Sequence, residues 1–271
     1  MASAFDIISL RNPAIKELMH MRWRRRGRLK RGLTLVRGRQ LIQSIGEHFP
    51  FKQVYTYEKR EAWAGYNAEQ IVRVEKDILK HVLFGRRREE HAQRLDRDEF
   101  VIGTIDQPQP IAEFEQAPRW LLAMDGIRHP ENMGLLLSTA VALQYDGVLC
   151  TEGCIDPFNY KVLEASQAVA WTMPYRYGSA AELLALCKKH RLAPCAADPN
   201  GVPLAELPKL AEGYEGFCLA VGSESQGVSP ELLAGCMRVA LPMSELVNSL
   251  NAGVAGGILM HALACAWGRQ G

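Results

Sequence analysis

Residues 239–258 read VALPMSELVNSLNAGVAGGI. Val239 to Leu241 form an apolar run of strand length, and the run ends at Pro242-Met243, where a sheet ladder loses a donor. A polar loop then leads into Ser249-Leu250-Asn251 and a long apolar segment. Residues 246–268 carry no charged side chain, which is the length of a membrane span. However, Asn248, Ser249, Asn251, His261 and four glycines from Gly253 to Gly268 argue for a buried helix of a soluble protein. The stretch therefore reads as strand, polar loop and covering helix.

The same unit recurs upstream. WLLAMD, GVLCTE, LAPCAAD and FCLAVG are apolar runs of strand length, as is RVALPM. Between and after them lie helical patterns: GLLLSTAVALQY, FNYKVLEASQAVA, SAAELLALCKKH, PELLAGC and the final SLNAGVAGGILMHALACAW. Alternating strands and helices predict an α/β fold with a parallel sheet covered on both faces. In such sheets ligands bind where the strands end. The first half is less regular. LTLVRG, RQLIQSIGEHF, KQVYTY, ILKHVLFG and EFVIGTI suggest a second, smaller α/β domain over residues 1–107. Residues 108–118 are proline-containing and aperiodic and read as a linker, leaving 119–271 as the larger domain.

Charge divides in the same place. Residues 1–120 hold 23 Lys and Arg against 16 Asp and Glu, a balance of +7; residues 121–271 hold 9 against 14, or −5. A basic half beside an acidic half predicts a polyanionic partner for the first. Its densest part is RWRRRGRLKR, where Arg22, Arg24, Arg25, Arg26, Arg28, Lys30 and Arg31 are seven basic residues in ten. Unmixed positive charge with Trp23 among it suits phosphate contact and base stacking. By contrast, Arg86–Arg88 precede Glu89 and Glu90 and read as a solvated face. All seven cysteines fall in the second half, none in a CxxC, which predicts reduced buried thiols. With no signal-peptide pattern in MASAFDIISLRNP, the expectation is a cytoplasmic protein without a membrane segment. No GxGxxG follows a strand, and GxxxxGK[ST], GxSxG and metal-binding Cys/His clusters are missing, so no metal is expected.

What remains is three strand-to-loop junctions: MDGIRHPENMG (124–134), AVGSESQGVSPEL (220–232) and the stretch quoted first. Each alone has an ordinary reading, Asn132-Met133-Gly134 as a turn and cap, Gly222 to Gly227 as a loop, Ser249 as a helix N-cap. Their order and spacing together resemble the SpoU/TrmH family of RNA ribose 2′-O-methyltransferases, of the SPOUT superfamily. The matches are Asn132 and Gly134; Gly222, Glu224 and Gly227; and Leu241-Pro242-Met243 with Ser249-Leu250-Asn251. The resemblance covers residues 119–271 and extends weakly to SLRNPAIKELMHM and TLVRGRQLIQSI. These look like the small RNA-binding domain that often precedes the catalytic one, with Arg37 where that domain usually has an acidic residue.

The resemblance implies a deep trefoil knot, a homodimer, and S-adenosylmethionine as methyl donor. It implies that Gly222, Leu241, Met243 and Leu250 line the cofactor site, and that Asn132, Glu224, Ser249 and Asn251 orient the catalytic centre and the RNA. Ribosomal RNA is the expected substrate ahead of transfer RNA, because of the separate N-terminal domain. Two positions depart from the pattern. The family usually has arginine six residues after the first asparagine, and here that residue is Ser138; its Ser-x-Gly-Ala is here Ser166-Gln167-Ala168. Serine supplies neither charge nor forked donors. Either another cation takes over, such as Arg128 or one from a partner subunit, or the chain is a catalytically degenerate RNA-binding or ribosome-assembly protein.

Overall fold

A computed structural model describes residues 6–85, 100–206, 212–244, 246 and 249–268, so that Arg86–Arg88 and their acidic neighbours lie outside the described residues. The chain divides into two compact units, Met1–Gln109 with Phe158–Ala168, and Pro110–Pro157 with Val169–Gly271.

The first unit holds β1 (Asp6–Ile7), α1 (Pro13–Trp23), α2 (Arg25–Arg31), β2 (Leu33–Arg37), α3 (Arg39–Gly46), β3 (Phe51–Thr56), β4 (Ala68–Val74), α4 (Lys76–Phe84) and β5 (Ile102–Asp106). Its sheet runs β1-β4-β3-β5-β2, with β1, β4 and β3 parallel and β5 antiparallel to both its neighbours. Asn12 starts α1 by accepting from the Ala14 N–H at 2.9 Å, and Pro13 occupies the first turn, where a missing N–H costs nothing. Ile15, Leu18 and Met21 of α1 and Ile78, Leu79, Val82 and Leu83 of α4 repeat at helical spacing. Both sets pack on Leu35, Tyr55, Val72 and Val74 of the sheet. The sequence pattern did not reveal β4, whose run AEQIVRV alternates around polar residues.

The second unit holds β6 (Trp120–Asp125), α5 (Pro130–Ala142), β7 (Gly147–Cys150), β8 (Tyr175–Tyr177), α7 (Ala180–His190), β9 (Leu192–Pro203), β10 (Gly216–Gly222), α8 (Pro230–Gly235), β11 (Met237–Ala240) and α9 (Ala252–Trp267); the intervening α6 is Tyr160–Ala165. Its six strands are all parallel, in the order β11-β9-β10-β6-β7-β8. β6, β7 and β10 are buried along their whole length, which explains their unbroken apolar runs. Among the described residues no helix is long and apolar enough to cross a membrane, and no cluster of His, Cys, Asp or Glu could hold a metal.

One segment departs from the expected division. Residues 158–168, carrying α6, pack with the first unit although they follow β7 in sequence. Thr34 Oγ1 donates to the Phe158 carbonyl at 2.7 Å. Arg22 Nη2 donates to the Tyr160 hydroxyl at 3.0 Å, and Arg37 Nη2 to Glu164 Oε2 at 2.7 Å. A strand-end arginine turned into a protein needs a counter-charge, and Glu164 supplies it. The segment ends with Gln167 and Ala168 in the left-handed region, at φ 51° and 59°.

Candidate active site

Three loops meet at the carboxyl ends of β6, β10 and β11. The first begins after Asp125, whose buried carboxylate accepts from Thr151 Oγ1 and from the Ser229 N–H, both at 2.6 Å. These bonds tie the ends of β6 and β7 to the start of α8. The chain then enters α5 at Pro130, so Asn132 and Gly134 lie inside the helix and not in a turn ahead of it. Asn132 is buried and its side chain caps nothing; it points across to the second loop.

The second loop, Gly222 to Gly227, closes on itself. Ser223 bridges Gly227, whose N–H donates to the Ser223 carbonyl at 2.8 Å. A Cβ on Gly222 would stand 1.9 Å from the Gly227 carbonyl carbon, and Gly227 itself has φ 68°. Both glycines are therefore required by geometry, the first by backbone contact and the second by conformation. The closed loop carries Glu224 at its exposed tip.

The third loop delivers Asn251, and Asn251 caps α9, so the ordinary reading of Ser249 as the N-cap does not hold. Its Oδ1 accepts from the N–H groups of Gly253 and Val254 at 2.9 and 3.2 Å. With that oxygen committed, the amide nitrogen faces the other loops. It donates to Glu224 Oε1 and to Asn132 Oδ1, both at 2.7 Å, while Asn132 Nδ2 donates to the same Glu224 oxygen at 2.8 Å. The three side chains thus close a triangle, which leaves Glu224 Oε2 without a donor among the described residues. Close packing of α9 on α5 brings the loops together. A Cβ on Gly256 would lie 2.3 Å from Leu136 Cδ2.

Beside the triangle lies a cavity of about 240 Å³. Gly222, Leu241, Met243 and Leu250 all line it, as do Glu224 and Ser249. Asp198, midway along β9 and just past its last pair with β10 at Ala196, is a lining carboxylate that strand periodicity did not single out; it also faces Arg238 at 3.6 Å. The signal for it was its place directly after the apolar run LAPCAA, where the parallel pairing with β10 stops and ligands are met in such sheets. Apolar walls, exposed backbone and carboxylates suit a nucleoside with a cationic centre.

The sequence matches the SpoU rRNA Methylase family over residues 119–261, the span holding all three loops. The chain belongs to that family. With it the chain joins the S-adenosylmethionine-dependent RNA 2′-O-methyltransferases. It is 30% identical to the Bacillus subtilis 23S rRNA (guanosine(2553)-2′-O)-methyltransferase RlmP, over 62% of this chain and 71% of the relative. It is 22% identical to a Streptomyces laurentii 23S rRNA (adenosine(1067)-2′-O)-methyltransferase, over 96% of each chain. Among solved structures, the AdoMet-bound rRNA methyltransferase of Sinorhizobium meliloti has the same fold. Its TM-score is 0.76 at 18% identity, covering 97% of this chain and 98% of that one.

Away from the triangle, Ser138 is half-buried on α5 and bonds its own helix, Oγ to the Leu135 carbonyl at 3.0 Å. It replaces no cation. Arg128 is exposed in the loop that leads into α5.

In the first unit the basic run separates into two kinds of residue. Arg24, Arg25, Arg26, Lys30 and Arg31 are exposed, with Arg31 paired to Glu17. Arg22 and Arg28, expected among the RNA contacts, are instead interior, at 5% and 3% exposure. Arg22 Nη1 donates to the Val82 carbonyl at 2.5 Å and its guanidinium stacks 4.1 Å from the Trp23 ring. Burial lowers its pKa, and the Tyr160 hydroxyl opposes that shift. Arg28 Nη1 donates to the Met21 carbonyl at 2.6 Å. A buried guanidinium spent on carbonyls holds helices together and is not offered to phosphate.

Proposed function

We propose that this chain methylates a ribose 2′-hydroxyl of ribosomal RNA, and that the triangle of Asn132, Glu224 and Asn251 forms the lip of its catalytic centre. The observation carrying this reading is the convergence of those three side chains, from three separate loops, beside an apolar cavity at the strand ends. Gly222, Leu241, Met243 and Leu250 would hold S-adenosylmethionine, chiefly through backbone and apolar surface. When bound, the cofactor supplies a methyl carbon made electrophilic by the sulfonium. The chain's own part is to position a ribose oxygen and to take its proton. Glu224 is suited to both. Two amide groups fix its Oε1, and Oε2 is left to accept from the hydroxyl. Ser249, lining the same cavity, adds a small donor at its edge.

Arg128 supplies the cation that Ser138 does not, gripping phosphate next to the reacting ribose. Arg24, Arg25 and Arg26 of the first unit hold RNA backbone. The names of the Bacillus and Streptomyces relatives, both acting on 23S rRNA, support ribosomal over transfer RNA. We further infer the family's trefoil knot and a homodimer. In support of the dimer, Leu135, Val254 and Ile258 on α5 and α9 stand 44–48% exposed although all three are large and apolar.

The reading is tested by incubating the chain with tritiated S-adenosylmethionine and, separately, unmodified ribosomal and transfer RNA. Incorporation into ribosomal RNA, mapped to a single ribose, is expected. Cofactor binding with no transfer to either RNA would favour the degenerate alternative.

A further inference from the structure

Parallel strands β1, β3 and β4 of the first unit end along one edge, and there a second cavity opens, of about 330 Å³. Ile8, Tyr57, Arg73, Glu75 and Lys76 line it. Nothing in the methyl-transfer site uses these residues. Ile8 is the oddest of them. It is 77% exposed, a large apolar side chain standing at the rim of a cavity where folding gains almost nothing from it. Tyr57 beside it is half-buried. The Lys76 ammonium sits 5.0 Å from the Tyr57 ring centre and 4.9 Å from that of Phe100. Rings hold a cation in place without cancelling its charge. Among the described residues no carboxylate lies within ion-pairing distance of that ammonium. Arg73 adds a second cation, and Glu75 an exposed acceptor.

These groups have the complementarity of one nucleotide. An apolar rim and an aromatic ring suit the face of a base, a fixed ammonium and a guanidinium suit its phosphate, and a carboxylate accepts from an exocyclic amine. A free anion would leave Ile8 and Tyr57 unused, and an acidic peptide would leave the aromatic surface unused. We propose that this cavity takes one unstacked nucleotide of the RNA substrate, with its phosphate on Lys76 and Arg73 and its base against Ile8 and Tyr57. The proposal rests on the reading that the chain acts on RNA. It also gives the first unit two tasks. The exposed arginines grip backbone of any sequence, while the cavity recognises a splayed base, as sequence-specific RNA recognition requires. The Glu75 acceptor favours bases with an amino group, cytosine among them.

The experiment uses the full chain and a fluorescein-labelled, single-stranded 12-nucleotide oligocytidylate, followed by anisotropy across a salt series. Ile8→Ser is expected to weaken binding about tenfold, the scale of losing a base-stacking surface. Lys76→Gln should reduce the slope of log affinity against log salt by about 0.7, one phosphate contact. Both side chains are outside the core, and thermal melts matching wild type verify that the variants fold. Tyr57→Phe should bind like wild type, since the ring is retained. Wild-type affinity and slope in both Ile8→Ser and Lys76→Gln would overturn the cavity assignment. If the wild-type chain still methylates ribosomal RNA in that case, the enzymatic reading stands without it. If wild type neither binds nor methylates RNA, both fall together.

Discussion

The Asn251 amide nitrogen lies 2.7 Å from Oδ1 of Asn132, a residue 119 positions earlier in the chain. The same nitrogen reaches Glu224 at 2.7 Å, while the other end of the amide caps α9. One side chain therefore starts a helix and closes the triangle proposed as the catalytic lip, and substitutions can separate the two tasks.

Asn132→Ala removes a donor to Glu224 and no cap. Methyl transfer is expected to fall roughly a hundredfold, the scale of a small misplacement of reacting groups. Cofactor affinity and melting temperature should change little. Asn251→Ala loses the cap as well, so a similar rate loss should come with about 1 kcal/mol of destabilisation. Asn251→Asp retains the acceptor for the cap but sets a second carboxylate against Glu224, so the rate should fall with most of the cap's stability kept. Single-turnover kinetics and denaturant titration on the three variants check this; an unchanged rate in Asn132→Ala would remove it from the centre.

The basic run makes a second separable pair. Replacing Arg24, Arg25 and Arg26 with alanine should weaken RNA binding and flatten its salt dependence, without affecting cofactor affinity. Arg22→Ala should act through the fold instead. Losing a buried guanidinium that serves Val82 and Tyr160 is expected to cost about 3 kcal/mol, seen as a lower denaturation midpoint. Unchanged RNA affinity in the triple variant would withdraw the contact assignment.

Ala168 holds φ 59° at a position where the family commonly has glycine. A left-handed alanine costs about 1 kcal/mol relative to its ordinary conformation. Ala168→Gly should thus raise stability by a similar amount, less what the extra freedom of the unfolded chain removes. A calorimetric melting point equal to or below that of wild type would contradict this.

Ile258→Glu places a charge in the exposed apolar stripe of α9. Light scattering should report a fall from twice the chain mass to 30.2 kDa, with the fold retained by circular dichroism. A wild-type chain that is already monomeric would end the dimer inference.

Much of this arrangement could be read from residue order, and the reasons are local. β6, β7 and β10 of the second unit are buried along their whole length and appear as unbroken apolar runs. Gly222 and Gly227 announce a loop that must approach itself closely. The parts that escaped are those settled between residues far apart in sequence. Nothing near Ser249 or Asn251 says which of them caps α9; the choice follows from where Asn132 and Glu224 lie. Nor does RWRRRGRLKR disclose that two of its arginines turn inward, because the carbonyls that take them up are set by how α1, α2 and α4 pack. β8 is only three residues long, too short for a period to register.

The placing of Phe158–Ala168 bears on how this enzyme can be taken apart. Three backbone crossings join the two units, one after Gln109 and one at each end of that segment. A shortened gene ending at the linker would encode the first unit without Tyr160 and Glu164, and so with Arg22 and Arg37 stripped of those partners. A gene starting at residue 119 would carry α6 with nothing to receive it. Neither unit is a cassette that can be lifted out or grafted by a single cut, and a chimaera with a related enzyme has to exchange α6 together with the N-terminal unit.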